Sequence, residues 1–452
     1  MSTRNSHRPC RRIASGRSQR GAATLIVVSV LFFVVALVAA YANRNLIFEQ
    51  RTASNQQRST LAFEAADAGV EWAVSMLNLG RVDGNCEPVD DASATSFRDR
   101  YLDINTNTGL VTPRAGVPAV ALPTCVHNGA QWLCRCPSTG ASSFSAPPTN
   151  LVAPAFRLRF VQLPANRAGT IWVEVQACTR LNDDCLGFGT ANTLNTVAGE
   201  GRAKTSVLLA LRSALPSLPV ATLTARGNVN LSDTSPRIWN PRSGNSPSLA
   251  IQAGGAVTPP NPSPPLPNAI PAFMLGGAAG ELVSDETQVS RLDPSLATAV
   301  VPNGERLFGG LFGIEPTVYR DQPASLMLNC TVPCDANTVR DVAARNPGRI
   351  LWAQGAVNLN GGSALGSAAE PVMLVVEGDL TASNIQINGL IYGRKPNWSF
   401  SGINTSLRGA VIAENNLVLS GSVELIRDAD ILGQLRWRQG SFIRVPGGWS
   451  DY

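Results

Sequence analysis

Nine cysteines offer the clearest chemical options in this 452-residue sequence. One of them, Cys10, lies in an arginine-rich amino-terminal head, and the other eight form an even set. Because an even number of cysteines in an exported chain is typical of disulfides, we predict up to four of them, formed in an oxidising compartment. Proximity alone pairs Cys178 with Cys185 and Cys330 with Cys334. The cysteines whose partners stay open are Cys86, Cys125, Cys134 and Cys136.

Zinc binding is the alternative chemistry for Cys134 and Cys136, with Cys125 nearby. Closely spaced thiolates can bind Zn²⁺, but they are usually completed by further cysteine or histidine ligands. His127 is the only histidine close to them, and the thiols of an exported protein tend to oxidise. Disulfides are therefore favoured, and no metal or cofactor is predicted.

Catalytic residues are scarce. Beyond the amino-terminal head, His127 is the only histidine, and Lys204 and Lys395 are the only lysines. No HExxH, P-loop or GxGxxG pattern occurs, and no nucleophile elbow is visible. Adjacent acidic residues fall on predicted loops, where they are usually solvated. An enzyme is not predicted, although a membrane-tethered, carbohydrate-active protein stays open as a minor alternative.

The amino terminus has the features of a membrane-targeting segment. Residues 1–21 contain six arginines and no acid, and without these arginines the formal net charge of +5 becomes −1. The rest of the chain therefore has no basic field that would bind nucleic acid. Such a cluster of arginines beside an apolar run holds the amino end on the cytoplasmic side of a membrane.

A long apolar helix is predicted directly after this head. Residues 22–42 carry no charge, and 21 helical residues span about 30 Å, the thickness of the hydrocarbon core. The run is longer than the apolar core of a secretory signal peptide, and no small-residue cleavage site follows it. Because no proline occurs between Ala22 and Cys86, we predict one continuous helix over residues 22–79, about 87 Å long.

The second half of this predicted helix is amphipathic. Phe63, Val70 and Leu77 recur at helical spacing and should pack on a globular domain. Its acidic residues lie on another face, which we interpret as solvated rather than as a docking stripe. They are Glu64, Asp67 and Glu71.

The sequences "QRGAATLIVV" and "STLAFEAADAGVEWAVSML" resemble the amino terminus of type IV pilin-like proteins, in particular the PilX group of minor pilins. The resemblance covers about residues 17–78. It implies that residues 1–21 are a prepilin leader, that prepilin peptidase cuts between Gly21 and Ala22, and that Ala22 is then methylated. A glycine suits such a cut because the peptidase meets no side chain there.

One departure from the pilin pattern concerns the fifth residue after the implied cut. Major pilins carry a glutamate there, which neutralises the terminal amine of a neighbouring subunit, whereas this chain has Ile26. The departure argues against a bulk subunit of the filament and is compatible with a minor subunit or one at the tip.

The resemblance also implies a location and partners. We expect a single-pass protein of the inner membrane whose carboxyl-terminal domains are periplasmic, and which enters the surface pilus of a Gram-negative bacterium. Its expected partners are other pilins, pilus assembly proteins and prepilin peptidase. Two alternatives stay open, a pseudopilin of a type II secretion system and a membrane anchor that is never cut.

Residues 80–215 are predicted to form a disulfide-stapled head. Apolar and polar residues alternate in three segments, which suits an antiparallel sheet packed on one side by the helix. We expect Arg157 and Arg159 to pair across this sheet with Glu174. The three segments are 155–163, 170–178 and 202–213.

The remaining sequence has repeated strand–turn–strand segments, at 221–233, 349–361, 371–384 and 409–421. This irregular repeat predicts a β-solenoid, with an ordinary β-sandwich as the alternative. We assign residues 216–257 to a first β coil, 258–345 to a proline-rich linker and insertion, and 346–452 to a solenoid-like domain that the last residues close. The predicted fold class is thus α+β, a long helix on an antiparallel sheet followed by a β-rich domain.

Overall fold

The computed structural model describes residues 20–141, 143–144, 152–163, 167–188, 200–233, 237–241, 249–258, 289–290, 292–296, 304–394, 398–402 and 404–451. Most of the predicted leader and nearly all of the proline-rich run 258–271 lie outside these residues. The helices are α1 (Arg20–Leu77), α2 (Phe97–Tyr101), α3 (Asp183–Leu186), α4 (Glu305–Phe312), α5 (Pro316–Arg320), α6 (Ala336–Arg345) and α7 (Ala429–Trp437), with a 3₁₀ turn at Ala119–Ala121.

The predicted long helix is confirmed as α1, which begins and ends two residues earlier than expected. Two compact units divide the chain, residues 1–59 and residues 60–452, so that α1 contributes to both. In the first unit the side chains from Ala23 to Ala53 are exposed. In the second unit the same helix has a buried face, which includes Ala66, Val70 and Leu77. The prediction that Phe63 packs on this face is wrong, because its side chain is 48% exposed.

The second unit begins with a domain that we call the head, formed by the last turns of α1, a small hairpin and a six-stranded antiparallel sheet. Its strand order is β23-β7-β6-β5-β3-β4. Strands are numbered along the chain, and those of the head are β1 (Leu102–Ile104), β2 (Val111–Pro113), β3 (Thr124–His127), β4 (Trp132–Arg135), β5 (Ala155–Val161), β6 (Thr170–Cys178), β7 (Arg202–Ser213) and β23 (Gly440–Asp451).

The helix packs on this sheet as the alternation predicts. Phe156, Leu158 and Val175 lie on the buried face of the strands and share one core with Val70 of α1. A β-carbon added at Gly69 would lie 2.7 Å from a methyl group of Val175. Glycine at this position therefore lets the helix approach the sheet closely, which explains a residue that would otherwise weaken a helix.

The predicted role of the carboxyl-terminal residues is wrong. Instead of closing the solenoid, β23 pairs antiparallel with β7, with Gly440 opposite Ser213. The physical reason is that the head offers this strand both a core and hydrogen-bond partners. Phe442 is buried in the head core. The Asn78 side chain donates to the Phe442 carbonyl at 3.0 Å and accepts from the Phe442 N–H at 2.8 Å. Residues 214–439 are therefore inserted between two neighbouring strands of the head.

The inserted residues form a second, parallel sheet that we call the stack. Its strands are β8 (Leu223–Ala225), β9 (Val229–Asp233), β10 (Arg237–Trp239), β11 (Ile251–Ala253), β12 (Val257–Thr258), β13 (Val289–Ser290), β14 (Ser325–Asp335), β15 (Ile350–Asn360), β16 (Val372–Val376), β17 (Leu380–Ser383), β18 (Gln386–Gly393), β19 (Trp398–Ser401), β20 (Ser406–Ala413), β21 (Leu417–Ser420) and β22 (Glu424–Ile426). Because all its described pairs are parallel, the stack contradicts the β-sandwich alternative, whose strands pair antiparallel.

The stack does not follow the order of the chain. From β14 to β20 successive segments lie on one another, as when Gly409 pairs with Gly389. The next layer is then the earliest one, because β20 pairs with β8 through Val411 and Leu223. The chain thus enters the middle of the stack with β8 and builds one end with β11 and β13. It then begins the opposite end with β14 and returns through β20 to β8.

This order corrects two predicted boundaries. Residues 216–257 and the later repeats are neighbouring layers of one sheet rather than separate coils. Strand β14 belongs to the stack and pairs with β15 on both sides of a bulge at residues 331–333, although we predicted a projecting insertion over 258–345. Its pairing follows from alternating burial, with Leu328 and Cys330 in the stack core.

Some strands of the stack are buried on both sides. Helices α4, α5 and α7 cover the outer side of β15, β16, β18 and β20 through an aromatic cluster. In it Phe308 lies 5.2 Å from Tyr392 and 6.0 Å from Trp352, measured between ring centres. Two-sided burial explains the continuous apolar runs within these strands, such as residues 372–376 of β16 and 410–413 of β20.

Candidate processing and assembly segment

The predicted cleavage site lies at the start of α1. Because the helix begins at Arg20, both Gly21 and Ala22 belong to its first turn. No acidic residue occupies that turn. The cut between Gly21 and Ala22, and methylation of Ala22, stay predictions.

The apolar part of α1 presents a continuous uncovered surface. From Leu25 to Phe48 its large apolar side chains expose 50–72% of their area. Burial of such a side chain is worth about 1.5–3 kcal/mol, so this surface needs lipid or protein around it. By length and composition, α1 is the one helix among the described residues that can cross a membrane. Ile26, the fifth residue after the predicted cut, is 62% exposed on this surface.

The carboxyl-terminal end of α1 is held by an arginine that the sequence analysis did not identify. Arg98 is 6% exposed and donates to the carbonyl of Leu77, the last residue of α1, at 2.9 and 3.1 Å. It also donates to the carbonyls of Arg438 and Gly440, where β23 begins, and its guanidinium lies over the ring of Phe442. Burial lowers the pKa of Arg98 to about 10.

This cluster ties the end of the helix to the final strand. The carbonyls at the end of a helix have no partner within it, so a buried helix end needs donors from elsewhere. Arg98 supplies them for Leu77, and Asp99 holds the adjacent Arg438 by an ion pair of 2.6 Å. A signal was present in "SFRDRYLDI", where two arginines flank an aspartate directly after a helix cap, but nothing in it indicated their partners.

The cysteines are joined in four disulfides. The bonds are Cys86–Cys136, Cys125–Cys134, Cys178–Cys185 and Cys330–Cys334. The candidate zinc ligands Cys125, Cys134 and Cys136 are therefore all disulfide-bonded and carry no thiol that could bind a metal.

One of the open pairings follows from a hairpin. Strands β3 and β4 form a hairpin around Asn128 and Gly129, a dipeptide typical of tight hairpin turns. The register places Cys125 opposite Cys134, which are then bonded. Counting outward from Asn128 and Gly129 as a two-residue turn would instead place Cys125 opposite Trp132, so the pairing depends on the four-residue loop 128–131, which the dipeptide does not indicate.

The predicted charge pairs of the head sheet are present in part. Arg159 lies 2.6 Å from Glu174, as expected. Arg157 instead pairs with Asp183, also at 2.6 Å, because α3 brings that acid to the end of the sheet. The acids of α1 are exposed, although Asp67 and Glu71 lie 3.5 and 2.8 Å from Arg444 of β23.

The stack contains one buried carboxylate cluster. Glu414 is 3% exposed, accepts from the Tyr392 hydroxyl at 2.8 Å, and lies 3.3 Å from Arg394. Burial raises the pKa of Glu414, an effect that Arg394 and Tyr392 oppose. Gly304, at the start of α4, closes over the carboxylate, because a β-carbon there would be 2.6 Å from it. Such a closed acid can fix neighbouring layers, but it cannot reach a polymeric substrate.

Comparison with known proteins identifies the first segment. Residues 20–71 match the family model described as PilX N-terminal, which confirms the resemblance of the amino-terminal sequence. No curated protein matches the chain.

A solved structure also aligns with much of the chain. The competence-associated pilin ComZ from Thermus thermophilus aligns over 87% of this chain and 98% of its own, at 11% identity and a TM-score of 0.23. So low a score carries no argument about the fold.

Proposed function

We propose that this chain, whose first described segment is a PilX N-terminal domain, is a minor pilin of a type IV pilus. The observation that carries the proposal is the combination of the family match over residues 20–71 with an apolar helix surface left uncovered from Leu25 to Phe48. A surface of that kind first suits lipid and later suits the helices of other pilins.

Processing would convert the membrane protein into a subunit. With the leader of residues 1–21 in place, its arginines hold the amino end at the cytoplasmic face of the inner membrane, and the later domains are periplasmic. Cleavage by prepilin peptidase between Gly21 and Ala22 removes that charge. The freed helix, methylated at Ala22, can then leave the bilayer and join the pilus of a Gram-negative bacterium.

The position in the filament is part of the same proposal. A carboxylate paired with the terminal amine of a neighbour would fix the register between subunits, and Ile26 cannot provide it. This favours a place at the tip or in the initiation of assembly, where no subunit need lie above this one.

The stack would be the displayed part of the subunit. We interpret it as a β-solenoid with three faces, since β15 pairs in turn with β16 and β17, and β20 pairs with both β8 and β22. Its role in the proposal is structural, in surface or partner contact, and not enzymatic. The closed position of Glu414 supports that choice.

The proposal is tested at its cleavage site. We expect Gly21→Leu to block processing, so that mass spectrometry finds an intact leader and the sheared pilus fraction lacks the protein. Gly16→Leu is the matched control, because it adds the same side chain within the leader but away from the cut. Normal processing of Gly21→Leu, or a mature chain that starts well beyond Ala22, would refute the proposal.

The machine that uses the subunit needs a separate measurement. Deletion of the gene should remove or shorten surface pili while leaving secretion of exoproteins intact. The reverse result would assign the chain to a type II secretion pseudopilus.

A further inference from the structure

One end of the stack carries a strand edge that is interrupted. Among the described strands β14 pairs only with β15, so its other edge has no partner strand within the described part of the chain. Because backbone groups alternate along a parallel strand, Met327 and Asn329 turn their N–H and C=O groups away from β15. A free parallel edge is a template for another strand.

The interruption is a bulge closed by a disulfide. Cys330 pairs with Gly355 and Cys334 pairs with Val357, so β14 contains two more residues than β15 over this interval. The extra length forms a loop with Pro333 and with Val332, whose side chain is 78% exposed, and the Cys330–Cys334 bond closes it. Proline and a bulge are both features that prevent edges from pairing.

A short helix covers the core at the same end. Directly after Cys334, the Asp335 side chain accepts from the Thr338 N–H at 2.8 Å and so begins α6. Val339 of α6 is fully buried in the stack core, and the helix end is bound to the head, where the Arg81 side chain donates to the Ala344 carbonyl at 2.8 Å. The stapled bulge and α6 thus close this end of the stack, as terminal caps close other repeat proteins.

The opposite end of the stack presents a matching edge. Its last described layers, β11, β12 and β13, are also parallel, and β12 pairs only with β9 among the described strands. Both ends belong to one parallel sheet, so the two edges have the same polarity and spacing. The partner that could continue the strand pairing of β14 in register is therefore a second copy of this chain, whose opposite end of the stack would lie against β14.

We propose that the Cys330–Cys334 bulge is a terminal cap that prevents the stack of one copy from pairing end to end with the stack of another. It would let the protein display a parallel stack without forming fibres through it, so that pilus assembly proceeds through α1 alone. The inference concerns the stack and holds whether or not the pilin proposal is correct.

A straightened edge tests the cap. The variant Cys330→Ser/Cys334→Ser with Val332 and Pro333 deleted leaves one residue, Thr331, opposite Ala356 and restores an even register with β15. We expect the full chain, purified in detergent micelles, to self-associate at a concentration at least about tenfold lower than the unmodified protein. Analytical ultracentrifugation measures the shift, and electron microscopy should show linear oligomers.

Two further variants separate stacking from misfolding. Adding Met327→Lys to the straightened chain places a charge on the free edge and should return self-association to the original level. Cys178→Ser/Cys185→Ser removes a disulfide of similar loop size from the head and should not change self-association. The cap proposal fails if the straightened chain self-associates no more than the unmodified protein, or if Met327→Lys leaves its association unchanged.

Discussion

The head and the stack are both built from β-strands, but they bury those strands in opposite ways. In the head, antiparallel strands have one face on α1 and one face toward water, so the sequence alternates. In the stack, β16 is buried along its whole length between an inner core and an outer layer of helices. The difference shows that strand pattern records how many sides a sheet covers, and not only that a strand is present.

The two regions also depend on each other along the chain. The head is completed by β23, in which Gly440 pairs with Ser213 after the whole stack has been made. The stack is completed when β20 reaches β8, a contact in which Glu414 and Arg226 are 188 residues apart. Because distant pairings are slow to form, both regions should fold late and together.

The largest expected effect uses two glycines to contrast the regions. Gly389 of the stack has φ +153°, and a β-carbon there would lie 1.8 Å from the Val372 carbonyl oxygen. Gly129 of the head has φ +96°, with open space around it. We expect Gly389→Ala to cost about 4 kcal/mol or more of the free energy of unfolding, and Gly129→Ala only about 1 kcal/mol. Urea midpoints measure both, and equal losses would contradict the close contact between layers.

A second contrast concerns buried arginines. Arg98→Met would leave the carbonyls of Leu77, Arg438 and Gly440 without their donor, which should cost about 3 kcal/mol. Arg427→Met in the stack is the matched change, since its side chain donates to the Pro219 carbonyl, and should cost about 1 kcal/mol.

Hydrogen exchange should reveal where the first variant acts. Faster exchange at the last turn of α1 and at the start of β23 is expected for Arg98→Met, because the same side chain holds both. If only one of these two segments loosens, Arg98 does not join them.

Acidity should affect the two regions in opposite directions. Burial raises the pKa of Glu414 above its ordinary value of 4.5, so the folded stack keeps this proton to a higher pH than the unfolded chain does. Its stabilising contribution is present below the unfolded pKa and is lost as the pH rises through the folded value. In the head, burial would raise the pKa of Asp99, but Arg438 and Ser96 lower it below 3.8. That contribution is present at neutral pH and is lost on acidification.

The measurement is local hydrogen exchange across pH 4–7, corrected for intrinsic rates. Protection of β18 and β20 should rise as the pH falls, while protection near α2 should not, and the change should be smaller than either effect above. Glu414→Gln should remove most of the dependence in the stack and leave the head as it was. A stack whose protection increases with pH would show that the ion pair with Arg394 outweighs burial.

Regular features of the molecule could be predicted from the sequence. The long helix, the three alternating strands and the repeated strand–turn–strand segments follow from local spacing, which side-chain period and proline content largely decide. Gly389 and Gly409 stood out as twenty residues apart, and they pair as neighbours in the stack. Their regular spacing was visible, but the tight contact that requires it was not.

Long-range partners could not be predicted in the same way. The tail that contains Trp449 has no local property that directs it to β7 rather than to the stack, since either sheet offers a free edge. The order of the layers could not be predicted either, because the short apolar strand β8 could pair with any strand of similar length and pattern. Arg98 was missed because its role lies in hydrogen bonds to three carbonyls of other segments, and a single sequence does not record such contacts.

The smallest expected effect asks what holds β23 in the head. Arg444 reaches Asp67 and Glu71 of α1, but all three side chains are more than a third exposed. Exposed ion pairs contribute little, so Arg444→Gln should cost about 0.5 kcal/mol, and the loss should shrink further in about 1 M salt. Urea midpoints at low and high salt give the comparison, with Arg98→Met as the reference. A loss as large as that of Arg98→Met would mean that surface charge, rather than backbone pairing and the buried contacts of Asn78 and Phe442, fixes the last strand.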